Sequence, residues 1–227
     1  MGTIPRASTG VLGFDELVEG GLPVGSVMLL AGPPGAGKTT FSAKFLFEGA
    51  TMLGEKGVYV CFAETKDSLV RSMLRFGWDF DRLDREQRCI ILDLSTAKEA
   101  GIQKHLDEIL GAISSLGAKR LVIDSFTAFT MALKEPINIR HLIHLLYRFL
   151  KNLGCTTIIV TDTPWSSERI GSGVEEFIAD SIILMQSRFN EKRQLERTLR
   201  MLKMRSTDHS QKVHDYKITS KGIEILP

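Results

Sequence analysis

Nine residues in a 227-residue chain carry the clearest chemistry: Gly32, Pro33, Pro34, Gly35, Ala36, Gly37, Lys38, Thr39 and Thr40. They match the pattern of a phosphate-binding loop. Glycines let the backbone curl so that its N–H groups converge on a phosphate. A lysine supplies a point charge to the β- and γ-phosphates of a nucleotide, and a threonine hydroxyl suits Mg²⁺. The flanks fit as well. The run "SVMLLA" (Ser26 to Ala31) reads as a buried strand, and a helix is expected from about Lys38 to Leu53, its N-terminus facing the phosphates. The expected ligands are ATP and Mg²⁺.

A second acid must complete such a site. Asp124 closes the apolar strand "RLVI" and stands out among strand-end carboxylates as a ligand of Mg²⁺, held through water. Glu64 follows the second strand by two residues. Two roles fit it equally: orienting the water that attacks the γ-phosphate, or complementing the dipole of a helix starting near Lys66.

"KMRSTDH", Lys203 to His209, packs two cations, two hydroxyls, a carboxylate and an imidazole into seven residues. A lysine-guarded edge strand would look like this, and so would a set of phosphate contacts. On a strand, residues two apart point the same way, so Lys203 and Arg205 share a face and Met204 takes the other. Upstream, Arg188, Lys192, Arg193, Arg197 and Arg200 face only Glu191 and Glu196, a basic stretch in a chain whose net charge is just +2. Overall charge therefore points to no nucleic-acid partner; the local run could meet phosphate, although a solvated hairpin is its ordinary source.

Elements that position these residues follow from periodicity. Further strands are expected at Gly57 to Phe62, Cys89 to Leu94, Arg120 to Ser125 and Thr156 to Thr161. Helix faces recur at Leu69, Met73 and Phe76, at Leu106, Ile109, Leu110, Ile113 and Leu116, and at Ile139, Leu142, Ile143, Leu146, Phe149 and Leu153. Strands alternating with helices imply an α/β fold, a mainly parallel twisted sheet covered on both faces. After about Asp180 the helices stop, and "DSIILMQ", "LERTLRMLKMR", "VHDYKIT" and "GIEIL" predict an antiparallel β-meander on the sheet edge. No linker or repeat interrupts residues 1–227, which read as one domain. Hydrophobic content of 43% supports an ordinary globular core. Cys61, Cys89 and Cys155 lie in apolar runs, cannot all pair, and read as small buried hydrophobes in a reducing, cytoplasmic setting. His141 and His144 have metal-compatible spacing but no neighbouring ligand, so they read as helix residues. No apolar run approaches membrane-spanning length.

Together "GFDELVEGGLPVGS", "GPPGAGKTT", "FAET", "RFGWD", "RLVIDS", "GVEEFIAD" and "KMRSTDH…ITSKGIEILP" resemble the single-domain KaiC-like ATPases of the RecA superfamily, the archaeal KaiC and RadA-paralogue type. The resemblance runs from about Ser8 to Pro227. It implies a RecA-like P-loop fold and a homo-oligomeric, hexameric ring with ATP between neighbouring subunits. Lys203 and Arg205 would then reach the γ-phosphate of the neighbour's nucleotide, with Met204, Thr207 and His209 near its base and ribose. Two departures stand out. The family's usual catalytic glutamate falls at Ala63, so that hydrolysis is slow or Glu64 stands in. The place of the Ser-Thr phosphorylation pair of clock proteins holds Glu176-Phe177, so autokinase activity is not expected.

The alternative reading is an accessory of recombination or repair that binds single-stranded DNA, with ATP as its assembly switch. "TPWSSERIGSG", Thr163 to Gly173, lies where RecA-type proteins hold a channel loop, and Trp165 and Arg169 would meet base and phosphate. A surface turn carrying a tryptophan is the simpler account of the same stretch. A small-molecule kinase is disfavoured, since no lid-like arginine-rich helix is visible.

Overall fold

A computed structural model describes residues 4–95, 102–131, 147–165 and 179–227. The expected pairs of His141 with His144 and of Glu176 with Phe177, Arg169, and the helix face from Ile139 to Leu146 lie outside these residues.

The strands are β1 (Arg6–Ala7), β2 (Leu22–Pro23), β3 (Val27–Gly32), β4 (Gly57–Cys61), β5 (Cys89–Asp93), β6 (Arg120–Asp124), β7 (Thr156–Asp162), β8 (Ser181–Phe189), β9 (Leu195–Met204), β10 (His214–Thr219) and β11 (Gly222–Ile225). The helices are α1 (Lys38–Met52), α2 (Lys66–Leu74), α3 (Phe80–Arg85), α4 (Ile102–Leu116), α5 (Phe126–Met131) and α6 (147–153). Strands β3 to β11 form one nine-stranded sheet in the order β11-β10-β9-β8-β3-β7-β6-β4-β5, and β1 and β2 form a small separate ribbon.

Alternation along each central strand sends side chains to two cores. Met28 and Leu30 join Phe41, Phe45 and Leu46 of α1, Leu69 and Met73 of α2, and Phe80 and Leu83 of α3. Val27, Leu29 and Ala31 join Ile109, Ile113 and Leu116 of α4, Phe126 of α5 and Leu150 of α6. Near-continuous apolar strands are what burial on both faces requires. One large cation sits within the first core. Arg120 is fully buried, ion-paired to Glu55 at 2.6 Å, and donates to the carbonyls of Ser8 and Phe45 at 2.7 Å each.

The expected meander is present as β8, β9, β10 and β11, each antiparallel to the next, and it joins the parallel sheet through β8. Strand β8 runs parallel to β3, with Met28 opposite Ser181 and Ala31 opposite Leu184, and reversal begins only at the β8–β9 hairpin. A bulge between Ile182 and Ile183 pairs them with Lys203 and Met201, so Leu202 is left over and turns outward. The short helix α3 has no counterpart among the periodic runs. It is too brief to show a helical repeat and is set by Asp79, which accepts the Arg82 N–H at 2.8 Å.

Candidate functional site

Strand β3 delivers the chain into the P-loop at Gly32, where a Cβ would lie 2.7 Å from the Met185 carbonyl oxygen. Gly37, just before α1, has φ 94°, and a Cβ there would lie 2.8 Å from the Ile218 side chain. Glycine is required at both positions, for close approach at the first and for backbone hand and space at the second. Helix α1 then begins with no side-chain cap and no acidic residue in its first turn. Its N-terminal dipole is left to whatever occupies the loop, which is the arrangement that binds anions.

A cavity of about 410 Å³ opens over this turn, lined by Gly35, Lys38, Thr39, Ala63, Asp124 and Asp162, among others. Lys38 is buried at 7% exposure and folds back on the loop. Its Nζ donates to the carbonyls of Gly32 at 2.7 Å and Pro33 at 3.0 Å, and pairs with Asp162 Oδ1 at 3.0 Å. Thr39 Oγ1 donates to Asp124 Oδ2 at 2.8 Å, and Tyr59 Oη donates to the same oxygen at 2.7 Å. Burial pushes the Asp124 carboxyl up, against the lowering effect of those two hydrogen bonds and of Lys38. A hydroxyl and a carboxylate side by side form a hard, oxygen-only donor pair that fits Mg²⁺. Among the described residues no cluster of three metal-binding side chains occurs. A Mg²⁺ ion here would take its remaining ligands from water and phosphate, as this ion commonly does.

Three residues that the sequence reading did not assign to the site close it. Tyr216 on β10 donates to the Ala36 carbonyl at 2.5 Å, and Arg197 on β9 reaches the Gly35 carbonyl at 3.3 Å. Asp162 ends β7 directly opposite Gly32. It is a second strand-end carboxylate, and the residues "TTIIVTD" carried that signal. Strand β7 lies between β3 and β6, so Asp162 stands between the P-loop and Asp124.

Glu64 is not among the cavity-lining residues; its neighbour Ala63 is. The Glu64 carboxylate accepts from Ser68 Oγ at 2.9 Å, one turn into α2, and Thr65 caps that helix by accepting the Ser68 N–H at 3.3 Å. Burial pushes the Glu64 carboxyl up, with the Ser68 hydrogen bond opposing. This is the helix-terminal placement, one of the two expected.

Lys203 and Arg205 lie at the other end of the sheet. Lys203 is opposite Ile182, which is opposite Leu29. The Arg205 N–H donates to the Asp180 carbonyl, and the Asp180 N–H to the Val27 carbonyl, so Arg205 is level with Val27. Gly32 is five residues further along β3. At about 3.3 Å per residue, Arg205 and the chain's own P-loop are roughly 16 Å apart along the strand direction alone.

Both cations have partners within the chain. Lys203 Nζ donates to the Ala179 carbonyl at 2.7 Å, and Arg205 Nη1 lies 3.4 Å from Asp180 Oδ1. Burial, then the charge of Arg205, pushes Lys203 down from the ordinary lysine range. The Arg205 side chain remains 54% exposed. Thr207 Oγ1 accepts from Arg6 at 2.6 Å, tying the segment to β1, and His209 is half-buried beside Ser210. Met204 differs from the expectation. It is 5% exposed and packs in the first core, because alternation sends it to the face opposite Lys203.

Trp165 is 48% exposed, and its ring is stacked on Phe189, with centroids 6.5 Å apart. Among the described residues no helix is long and apolar enough to cross a membrane.

Comparison with known proteins gives the family and the fold. Residues 7–227 match the family described as "ATPase: KaiC". A UPF0273 protein of Thermotoga maritima is 35% identical, over 99% of this chain and 97% of its own length. The circadian clock oscillator protein KaiC of Nostoc is 34% identical over 99% of this chain, which spans 44% of that longer protein. The crystal structure of a KaiC-like protein from Pyrococcus horikoshii superposes with a TM-score of 0.91 at 37% identity, covering 99% of this chain and all of the other. The RecA-like α/β architecture is thus shared with a relative along the whole length, and the chain belongs to the KaiC ATPase family.

Proposed function

We propose that this chain is a cytoplasmic, Mg²⁺-dependent ATPase, one domain over residues 1–227, that assembles as a homo-oligomeric, hexameric ring and holds ATP between neighbouring subunits. One observation carries the shared site: the P-loop and the Lys203–Arg205 pair occupy opposite ends of one sheet. A subunit that cannot bring its own cations to its own nucleotide can bring them to a neighbour's, and repeated head-to-tail contact of that kind closes into a ring.

Within the site, the loop from Gly32 to Thr40 cradles the phosphates and Lys38 leaves its internal partners for the β- and γ-oxygens. Thr39 would hold Mg²⁺ directly and Asp124 through water. The ion supplies charge neutralisation on the β- and γ-phosphates. Lys203 and Arg205 of the neighbour stabilise the charge that develops as the γ-phosphoryl group departs. Thr207 and His209 border the base and ribose, and Met204 packs beneath them in the first core. Glu64 takes part in hydrolysis only by giving up Ser68.

Calorimetric titration with ATP, with and without Mg²⁺, tests the site, and sedimentation with and without nucleotide tests the ring. Tight, Mg²⁺-dependent binding that Lys38→Ala abolishes is the expected result. Unchanged affinity in that variant, or a monomer at every nucleotide concentration, contradicts the reading.

A second reading rests on the exposed Trp165–Phe189 stack, a platform on which an unpaired base can lie. Labelled single-stranded DNA, titrated at two salt concentrations with and without ATP, distinguishes it. Salt-sensitive binding lost in Trp165→Ala favours the DNA-binding accessory, and no binding at low salt removes it.

A further inference from the structure

Hydrolysis of ATP requires a group that orients water in line with the bond to be broken. Ala63 lines the cavity and has no polar side-chain atom to do it. Glu64 faces Ser68 on α2. Among the described residues lining the cavity, the carboxylates are Asp124 and Asp162. Asp124 Oδ2 is engaged by Thr39 and Tyr59. Asp162 is 3.0 Å from Lys38 Nζ, the atom the phosphates must claim. Its side chain is 41% exposed, so it has access to water. Its position is fixed from the backbone. The Asp162 N–H donates to Thr127 Oγ1 at 2.9 Å, the next N–H, of Thr163, donates to the Gly32 carbonyl at 3.0 Å, and β7 pairs with β3 along its length.

We propose that Asp162 is the carboxylate that orients the attacking water. The inference rests on the reading of this site as an ATPase and goes beyond it by naming the residue. In the resting chain Asp162 balances the charge of Lys38. When the β- and γ-oxygens take Lys38, the carboxylate loses its partner while facing the same space, and a water molecule can donate to it. The water oxygen bonds to the γ-phosphorus as the bond from that phosphorus to the β–γ bridging oxygen breaks. The bonding pair leaves with ADP, and the water proton passes to Asp162 and on to solvent. The same geometry makes Asp162 a competitor for Lys38, so removing its charge leaves nucleotide binding intact or stronger.

The test compares wild type, Asp162→Asn, Asp162→Glu and Glu64→Gln in two measurements. These are affinity for a non-hydrolysable ATP analogue by calorimetry and phosphate release at saturating Mg²⁺-ATP. Asp162→Asn is expected to bind at least as tightly as wild type and to lose about 10²-fold or more in turnover, the usual scale of a lost general base. Asp162→Glu is expected to recover part of that loss, and Glu64→Gln to stay within about threefold of wild type. Asp162→Ser, read in the same way, replaces the amide variant if a thermal melt shows that it does not fold. Turnover in Asp162→Asn within about threefold of wild type overturns the inference and leaves the ATPase reading standing. Loss of analogue binding in that variant also overturns it, by making Asp162 part of the binding surface. Wild type that releases no phosphate overturns the ATPase reading and this inference together.

Discussion

Two ends of one sheet carry opposite kinds of site. At the end reached by the C-termini of β3, β6 and β7, the chain completes its own cradle. Tyr216 and Arg197 hold the P-loop carbonyls, Ile218 packs on Gly37, and Lys38 is buried against Gly32, Pro33 and Asp162. At the other end, Lys203 and Arg205 are braced on Ala179 and Asp180. The two buried aspartates show the same contrast. Burial dominates at Asp124 and raises its carboxyl, whereas at Asp180 the raising effect of burial is outweighed by the Val27 N–H, Lys151 and Tyr147, which hold it below the ordinary range. One end gathers the loop, Lys38 and two carboxylates, and the other carries Lys203 and Arg205 about five residues away along the sheet. Complementary halves on opposite ends are what a site shared between subunits requires.

The double variant Lys203→Ala, Arg205→Ala sharpens the contrast most. It leaves the cradle untouched, so analogue affinity changes little while turnover falls by about 10³-fold or more, the range for loss of a trans cation in phosphoryl transfer. Parallel calorimetry and phosphate release check it. Lys38→Ala acts on the cradle instead. A hydrogen bond to a charged group contributes about 1.5–3 kcal/mol, and Lys38 would make two, so affinity should fall by about 10²-fold or more.

Smaller effects probe how each end is braced. Tyr216→Phe leaves the Ala36 carbonyl without its buried donor and should cost about 1–3 kcal/mol, read as a lower melting temperature and weaker analogue binding. At the opposite end the probe is pH. A folded-state carboxyl held below its ordinary range contributes stability that is present above that range and is lost as the pH falls through it. Asp180→Asn should therefore melt below wild type at neutral pH, and the gap should narrow by about pH 3. A gap that stays constant with pH would show that the Asp180 charge is not what braces β3 against β8.

The P-loop was legible because its chemistry is local: glycines, a lysine and a threonine within nine residues, between an apolar strand and a helix. Asp124 was legible for the same reason. Asp162 also ends a strand, yet its importance comes from β7 lying between β3 and β6, a matter of strand order that periodicity does not contain. Asp93 makes the point from the other side. It too ends an apolar strand, but that strand is at the sheet edge, and its carboxylate accepts the Lys66 N–H at the start of α2. Tyr216 and Ile218 could not be found locally, because they reach the P-loop from some 180 residues downstream. The alternation that puts Met204 on the face opposite Lys203 was legible, but that this face is the buried one depends on what packs there. Glu64 was ambiguous on sequence because successive residues at a strand end can face either way, and the Thr65 cap decides its direction here.

The shared site is tested most directly by mixing subunits. Lys38→Ala has an intact finger pair, and the Lys203→Ala, Arg205→Ala variant has an intact P-loop. Each alone should be inactive. Equal random co-assembly places an intact loop beside an intact pair at about a quarter of the interfaces, so the mixture should recover turnover on that scale. Recovery near a quarter of wild type is the predicted result. No recovery in rings shown to contain both variants would contradict the account.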